Sequence, residues 1–343
     1  MRVLAFSSSV VLLAFASACA NGGNDSGTPS DGDGGLVLEG GDAALKGDAP
    51  HPTDGGGEGA VSGTSAAKAC ADNATAYCMQ LDTCAQFLFN LEYPDMLTCQ
   101  ASQQPSCLDA LTAPGTGWTG DNLETCVKAR TALDCSDFLH AKPQPSACFV
   151  TGLFNSQSCL YDAQCGTGYC RIATGASCGN CVALGNTGAP CTSSNDCGGN
   201  LLCAGSGTCQ PPSPASGACS TTVPCTPGTA CIGGACVVPG GPGAACSSKN
   251  SNADCDYYQG VYCDGTTSMC TAYAVAQPGD ACGSATPTVC GGDATCYQSL
   301  CVSPAADGSA CNAASGLNCM APDSCLGTEG GTTCTLFSAT QCK

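Results

Sequence analysis

The chain has little of what a large globular enzyme is built from: 343 residues hold 1 Trp, 8 Phe, 9 Tyr and only 2 His. So few large apolar side chains exclude one big hydrophobic core, because a domain of that size must bury about three quarters of the surface its unfolded chain exposes. Bases are scarce as well, 9 Lys plus Arg against 27 acids for a net charge of −18, and no basic run exists. Without such a run nothing tracks phosphates, so nucleic acid is excluded as a partner. No strand-associated GxGxxG, P-loop, EF-hand loop or HExxH is present, and His51 and His140 stand in no triad context. No enzyme activity, cofactor or metal is therefore expected. Alternating strand and helix patterns are missing too, which excludes a doubly wound or barrel α/β fold. What is abundant is cysteine, 35 residues, with 46 Gly and 20 Pro. Cysteine above roughly 8–10% of a chain marks a disulfide scaffold, and disulfides persist where the compartment is oxidising.

Met1-Arg2 supplies a positive start, residues 3–16 a short apolar run, and Ala16-Ser17-Ala18 a small-residue cleavage site directly before Cys19. Residues 1–18 read as a secretory signal peptide, too short for a permanent span. Small residues followed at once by cysteine resemble the bacterial lipobox. That resemblance implies a lipidated Cys19, a membrane partner reached through the lipid, and a place in the bacterial cell envelope, at the outer membrane or cell surface. Setting Cys19 aside from the 35 cysteines leaves 34, an even number that can pair completely. Residues 19–65 then hold Asp25, Asp31, Asp33, Glu39, Asp42, Asp48, Asp54 and Glu58 against the single base Lys46, among many Gly. Such a composition cannot bury enough apolar surface to offset chain entropy, so a disordered acidic linker is expected.

Residues 66–150 read as a helical domain with four disulfides. Ala67, Cys70, Ala71, Ala74, Tyr77, Cys78 and Leu81 recur at three- and four-residue intervals, one face of a helix. Asp121 and Glu124 form a capping-box-like start for another, with Leu123, Cys126, Val127 and the Arg130 stem inward. Weaker helices are expected over 86–93 and 95–111, the latter broken or kinked at Pro105. Phe87, Leu88, Phe89, Leu91 and Trp118 are expected to pack among the helices.

Residues 151–343 form six tandem four-cysteine repeats. Their cysteines are 159, 165, 170, 181; 191, 197, 203, 209; 219, 225, 231, 236; 246, 255, 263, 270; 282, 290, 296, 301; and 311, 319, 325, 334, with Cys178 and Cys342 left over. We number these units 1 to 6. A glycine three residues before the leading cysteine recurs as Gly188, Gly243, Gly279 and Gly308, with Gly217 one residue closer. Glycine there permits a tight turn with positive φ. Each unit has too few apolar side chains to fold alone, so crosslinks and stacking on neighbours must hold it. The fold class expected is small and disulfide-rich: a cysteine-stapled helical domain, then irregular short-hairpin repeats that are mostly coil.

The spacing Gly-x-x-Cys, x5, Cys, x5, Cys, x5, Cys, seen best as GAPCTSSNDCGGNLLCAGSGTC at 188–209, resembles the Dickkopf N-terminal cysteine-rich domain. From lipobox to last repeat, the whole chain is similar to myxobacterial-type cysteine-rich lipoproteins. Four cysteines allow three pairings per unit. Pairing first with second leaves the halves of a unit untied, whereas interlaced pairing encloses longer loops. Interlacing gives Cys191 with Cys203, Cys197 with Cys209, Cys219 with Cys231, and Cys225 with Cys236. Nested pairing, first with fourth, also joins the halves and stays open. Cys178 could pair with Cys342 only if the C-terminus folds back along the whole array. Two functions follow from different premises. One is a lipid-anchored, exported, non-catalytic structural or binding protein that presents a rigid surface to an unknown protein or glycan partner. The other is an exported thiol-disulfide oxidoreductase using the Cys178-Gly179-Asn180-Cys181 motif.

Overall fold

The computed structural model describes residues 63–140, 145–150, 152–153, 157–166, 168–173, 176–247, 254–283, 287–312, 317–326 and 332–342. The expected signal peptide, Cys19 and nearly all of the expected linker lie outside the described residues.

Five helices form the first part: α1 (Ala66–Cys84), α2 (Gln86–Glu92), α3 (Met96–Thr112), α4 (Gly120–Thr131) and α5 (Cys135–His140). Four start on side-chain caps that satisfy an orphan backbone N–H: Ser65 accepts from Lys68 N, Asp95 from Thr98 N, Thr119 from Asn122 N, and Asp134 from Asp137 N. Thr119, not Asp121, therefore starts α4. Asp121 turns back instead and accepts Thr64 N at 2.7 Å. Pro105 does not end α3, which continues to Thr112 with Pro105 on its exposed side. The inward face of α1 is Ala69, Cys70, Ala74, Tyr77, Cys78 and Leu81; Ala67, expected there, is exposed.

The main core joins Tyr77, Leu81, Leu88, Phe89, Tyr93, Phe138 and Leu139, and Trp118 rests on a second cluster of Ala69, Cys70, Leu123 and Val127. Disulfides Cys70–Cys107 and Cys78–Cys99 tie α1 to α3, Cys84–Cys135 ties its end to α5, and Cys126–Cys148 ties α4 to the 3-10 turn Ser146–Cys148.

The six units share one hydrogen-bonded plan. In each, the third and fourth cysteines stand opposite one another across an antiparallel hairpin: 170 and 181, 203 and 209, 231 and 236, 263 and 270, 296 and 301, 325 and 334. The residue six before the first cysteine pairs in parallel with the second cysteine: Leu153 with Cys165, Gly185 with Cys197, Ser213 with Cys225, Gly240 with Cys255, Ala276 with Cys290, and Ala305 with Cys319. The hairpin thus presents two sulfurs side by side, and the two flanking segments each deliver one partner. Disulfides join first to third and second to fourth in every unit.

The turn into the unit lies three residues before the first cysteine. Gly188, Gly243, Gly279 and Gly308 adopt φ of 83°, 80°, 90° and 71° there, and each donates its N–H to the carbonyl of the fourth cysteine. A Cβ at Gly188 would meet nothing within 4 Å, so the backbone conformation and not space favours glycine. In unit 3 the turn has not moved to Gly217. Ser216 takes the same place with φ of 66° and donates to Cys236 O at 2.7 Å.

The array curls around the helices, which act as a hub. Unit 1 touches it through Gln164 Nε2, which donates to Pro114 O at 2.9 Å, and unit 3 through Gly228 N, which donates to His140 Nε2 at 3.1 Å. Phe87 packs against the hub core, as expected, and also sets its ring on Tyr257 and Tyr273 of unit 4. There the chain must pass close: a Cβ on Gly260 would lie 2.4 Å from the Phe87 ring. Past unit 6 the chain returns to unit 1, and Cys178–Cys342 closes the circuit over a sequence separation of 164. The return therefore runs around the hub and not back along a straight stack.

Candidate functional site

The CGNC cysteines do not bond to each other. Cys181 is the fourth cysteine of unit 1, paired with Cys165 and 1% exposed, whereas Cys178 reaches across to Cys342. Exchange chemistry of the CxxC type needs the two sulfurs of the motif to alternate between a shared disulfide and a dithiol. This arrangement supplies no such bond, because the hairpin register that sets Cys181 opposite Cys170 commits it to the repeat. The three-sulfur groups inside the units, such as Cys191, Cys197 and Cys209, lie within 4.8 Å of one another, but their sulfurs are already joined in disulfides and are not thiolate ligands.

A different chemistry stabilises the loop between first and second cysteines. In units 1, 2 and 4 the residue directly before the second cysteine is Gln164, Asp196 or Asp254. Its side chain turns inward and accepts backbone N–H groups at the start of the loop. Gln164 Oε1 accepts from Leu160 N at 2.7 Å and Tyr161 N at 3.0 Å; Asp196 Oδ2 accepts from Thr192 N at 2.6 Å and Ser193 N at 3.2 Å; Asp254 Oδ2 accepts from Ser247 N at 2.6 Å. Units 3, 5 and 6 close the same loop with an antiparallel bridge, Ser220 with Val223, Gly283 with Thr288, and Asn312 with Leu317. Asp196 also accepts from Tyr169 Oη and from Arg171 Nη2 at 2.8 Å, which locks unit 2 to unit 1. Burial pushes its carboxyl up, but donation from Thr192, Tyr169 and Ser193 outweighs that and holds it at about 2.

Two distant segments converge on one hub carboxylate where the circuit closes. Asp109 of α3 accepts from Tyr161 Oη of unit 1 at 2.6 Å, Ser338 Oγ at 2.8 Å and Ala339 N at 2.9 Å. Ala110, Leu160, Tyr161 and Ala339 form a small apolar cluster beside it, with Cys342 packed against its edge. His140 belongs to the rim as well. Its Nε2 lies 3.1 Å from Gly228 N and its Nδ1 2.8 Å from Ser136 O.

A cleft of about 10 Å³ between α1, α4 and α5 is lined by Asn73, Tyr77, Gln80, Arg130 and Phe138. Gln80 crosses it to donate to Arg130 O and Leu133 O, each at 3.3 Å, and burial lowers the Arg130 guanidinium to about 9. The cleft is smaller than small-molecule sites, which run to about 300–1,000 Å³. It is a junction between helices. Among the described residues no helix is long and apolar enough to cross a membrane.

Sequence reasoning missed the Gln164, Asp196 and Asp254 plugs, although superposing the units by their second cysteine exposes the shared position. It missed Asp109 as well, and no local signal could reveal it, since its partners lie 52 and 229 residues away. No curated protein and no solved structure matches the chain. A family model does match residues 190–238, a stretch that holds units 2 and 3 together, and its description is a domain of unknown function (DUF7107).

Proposed function

We propose that this is a non-catalytic envelope scaffold, exported and held to a bacterial membrane by a lipid on Cys19, that presents a disulfide-rigid surface to a protein or glycan partner. The observation that carries the reading is the complete pairing of all cysteines from Cys70 to Cys342, including the two of the CGNC motif, into structural disulfides. Such pairing requires an oxidising compartment, and it leaves Cys19 as the one cysteine for acylation. The lipobox resemblance of residues 16–19 and the acidic composition of residues 19–65 supply the anchor and the spacer. The likeness to myxobacterial-type cysteine-rich lipoproteins supports the same place in the cell.

The test is mass spectrometry of the native N-terminal peptide combined with thiol titration of the denatured, unreduced protein. An acylated Cys19 and no titratable thiol are expected. An unmodified Cys19 overturns the anchor. A thiol pair released from Cys178 and Cys181 under mild reduction, with the repeats still protected from exchange, overturns the structural role of these sulfurs in favour of exchange chemistry.

A further inference from the structure

The seam between α2 and the last two units is acidic on both sides. α2 ends at Glu92, and its terminal carbonyls are capped by another part of the chain: Gly292 N donates to Asn90 O at 2.9 Å and Asp293 N to Leu91 O at 2.6 Å. Asp293 makes this contact with φ of 60°, and its carboxylate accepts Ala321 N of unit 6 at 3.2 Å. One residue thus joins the hub, unit 5 and unit 6. Glu92 faces the same seam. Its Oε2 is out of solvent and has no hydrogen-bond partner among the described residues. It also sits at a helix C-terminus, where a negative charge is already disfavoured.

The ionisable groups around Glu92 come from every packed element: Asp293 from unit 5, Tyr77 from α1, Tyr93 just beyond α2, and Tyr257 from unit 4. The Tyr93 hydroxyl accepts from Gln103 of α3 at 2.8 Å. All four groups are acids or phenols, and none brings a positive charge. Burial, reinforced by Asp293, raises the Glu92 carboxyl to about 7. Burial raises Asp293 to about 6 against the donation from Ala321.

We propose that Glu92 and Asp293 form a proton-operated clasp: protonated, the pair holds units 5 and 6 against the hub; ionised, it repels itself and lets them swing away. An opened seam returns both carboxyls to water, where they titrate at about 4. The closed seam therefore binds protons that the open one has lost, so closure is fully favoured below about pH 4 and weakens as pH rises through 6 and 7. The disulfides inside each unit and the Cys178–Cys342 closure hold the rest, so the movement is local. The clasp is independent of the lipid anchor, and its failure would leave the scaffold reading intact.

Hydrogen exchange of the full chain between pH 5 and 8, corrected for the intrinsic chemical rate, tests it at the Gly292 and Asp293 amides, with 191–209 as the internal control. The opening constant at these two amides is expected to rise up to about tenfold per pH unit for each proton released, while the control stays level. Asp293→Asn keeps an acceptor for Ala321 N and suits positive φ, and Glu92→Gln keeps the shape of the side chain. Either single change should reduce the slope, and the double variant should abolish it. A wild-type opening constant that does not change with pH, or a slope that persists in the double variant, overturns the clasp.

Discussion

The helical hub and the six units use cysteine in different ways. In the hub the disulfides join a core made mostly of other side chains, Tyr77, Leu81, Leu88, Phe89, Phe138 and Leu139, with Cys78 and Cys99 among them. In the units the cysteines are the core. Unit 2 buries Cys191, Cys197 and Cys209 with only Leu201 and Cys203 packed against them, and units 4, 5 and 6 repeat this composition with one or two alanines or a valine. A sulfur core depends on covalent bonding for its cohesion, whereas an aromatic core depends on area removed from water. The first tolerates an almost featureless sequence between its cysteines. The second requires helical periodicity, and only the hub shows it.

Reduction should separate the two regions most strongly. Each disulfide closing a loop of about 15 residues contributes roughly 3 kcal/mol in the chain-entropy model, and a unit has two and little else. With a dithiol reductant, exchange protection over 185–334 is expected to vanish while part of the helical circular-dichroism signal persists. Repeats that stay protected when reduced would show that sulfur is not their core.

The next largest effect belongs to the hub. Phe138 is 1% exposed and packs against Tyr77 with ring centroids 5.9 Å apart. Phe138→Ala should cost about 3–5 kcal/mol, read from the denaturant midpoint of the helical signal, with protection in unit 2 unchanged. An equal loss in unit 2 would mean that hub and units melt as one body.

The smallest effect probes the polar plug that supplements the sulfur core. Asp196→Asn keeps one acceptor but turns an amide toward donors, for a local loss of about 1–3 kcal/mol in unit 2. The wild-type carboxylate, held at about 2, contributes fully above pH 4, its unfolded range, and this contribution disappears as pH falls through 2. Exchange over 191–209 should therefore accelerate on acidification below pH 4 in the wild type, with a weaker acid dependence in the variant. Identical acid profiles would remove Asp196 from the account.

The legibility of the chain follows the same division. Local signals carried the helices: the three- and four-residue spacing placed α1 and the Leu123, Cys126 and Val127 face of α4. Caps were read less well, because Asp121 and Glu124 resemble a capping box while Thr119, two residues earlier, satisfies the N–H of Asn122. Pro105 does not break α3, because a proline on the exposed side of a helix costs a hydrogen bond without forcing the chain out of the helix. In the repeats, loop-length reasoning preferred interlaced to adjacent pairing but could not dismiss nested pairing. The hairpin that sets third and fourth cysteines opposite each other, with the parallel bridge to the second, decides between them. Gly217 misled for a local reason, since a serine beside it adopted the left-handed turn.

What the sequence determined by itself was composition-level and short-range: a disulfide scaffold, a helical part before a repeated one, and the four-cysteine period. These depend on residue type and on spacings of a few residues, which the chain carries in plain order. Only the tertiary structure decided how the parts meet. It wraps the units around the hub, brings Asp109 to Tyr161 and Ser338, splits Cys178 from Cys181, and lays Asp293 on the carbonyl end of α2 beside Glu92. Each of these meetings joins residues far apart in sequence or assigns close neighbours to different partners. They depend on the accumulated direction of every turn between them, and no local pattern encodes that sum.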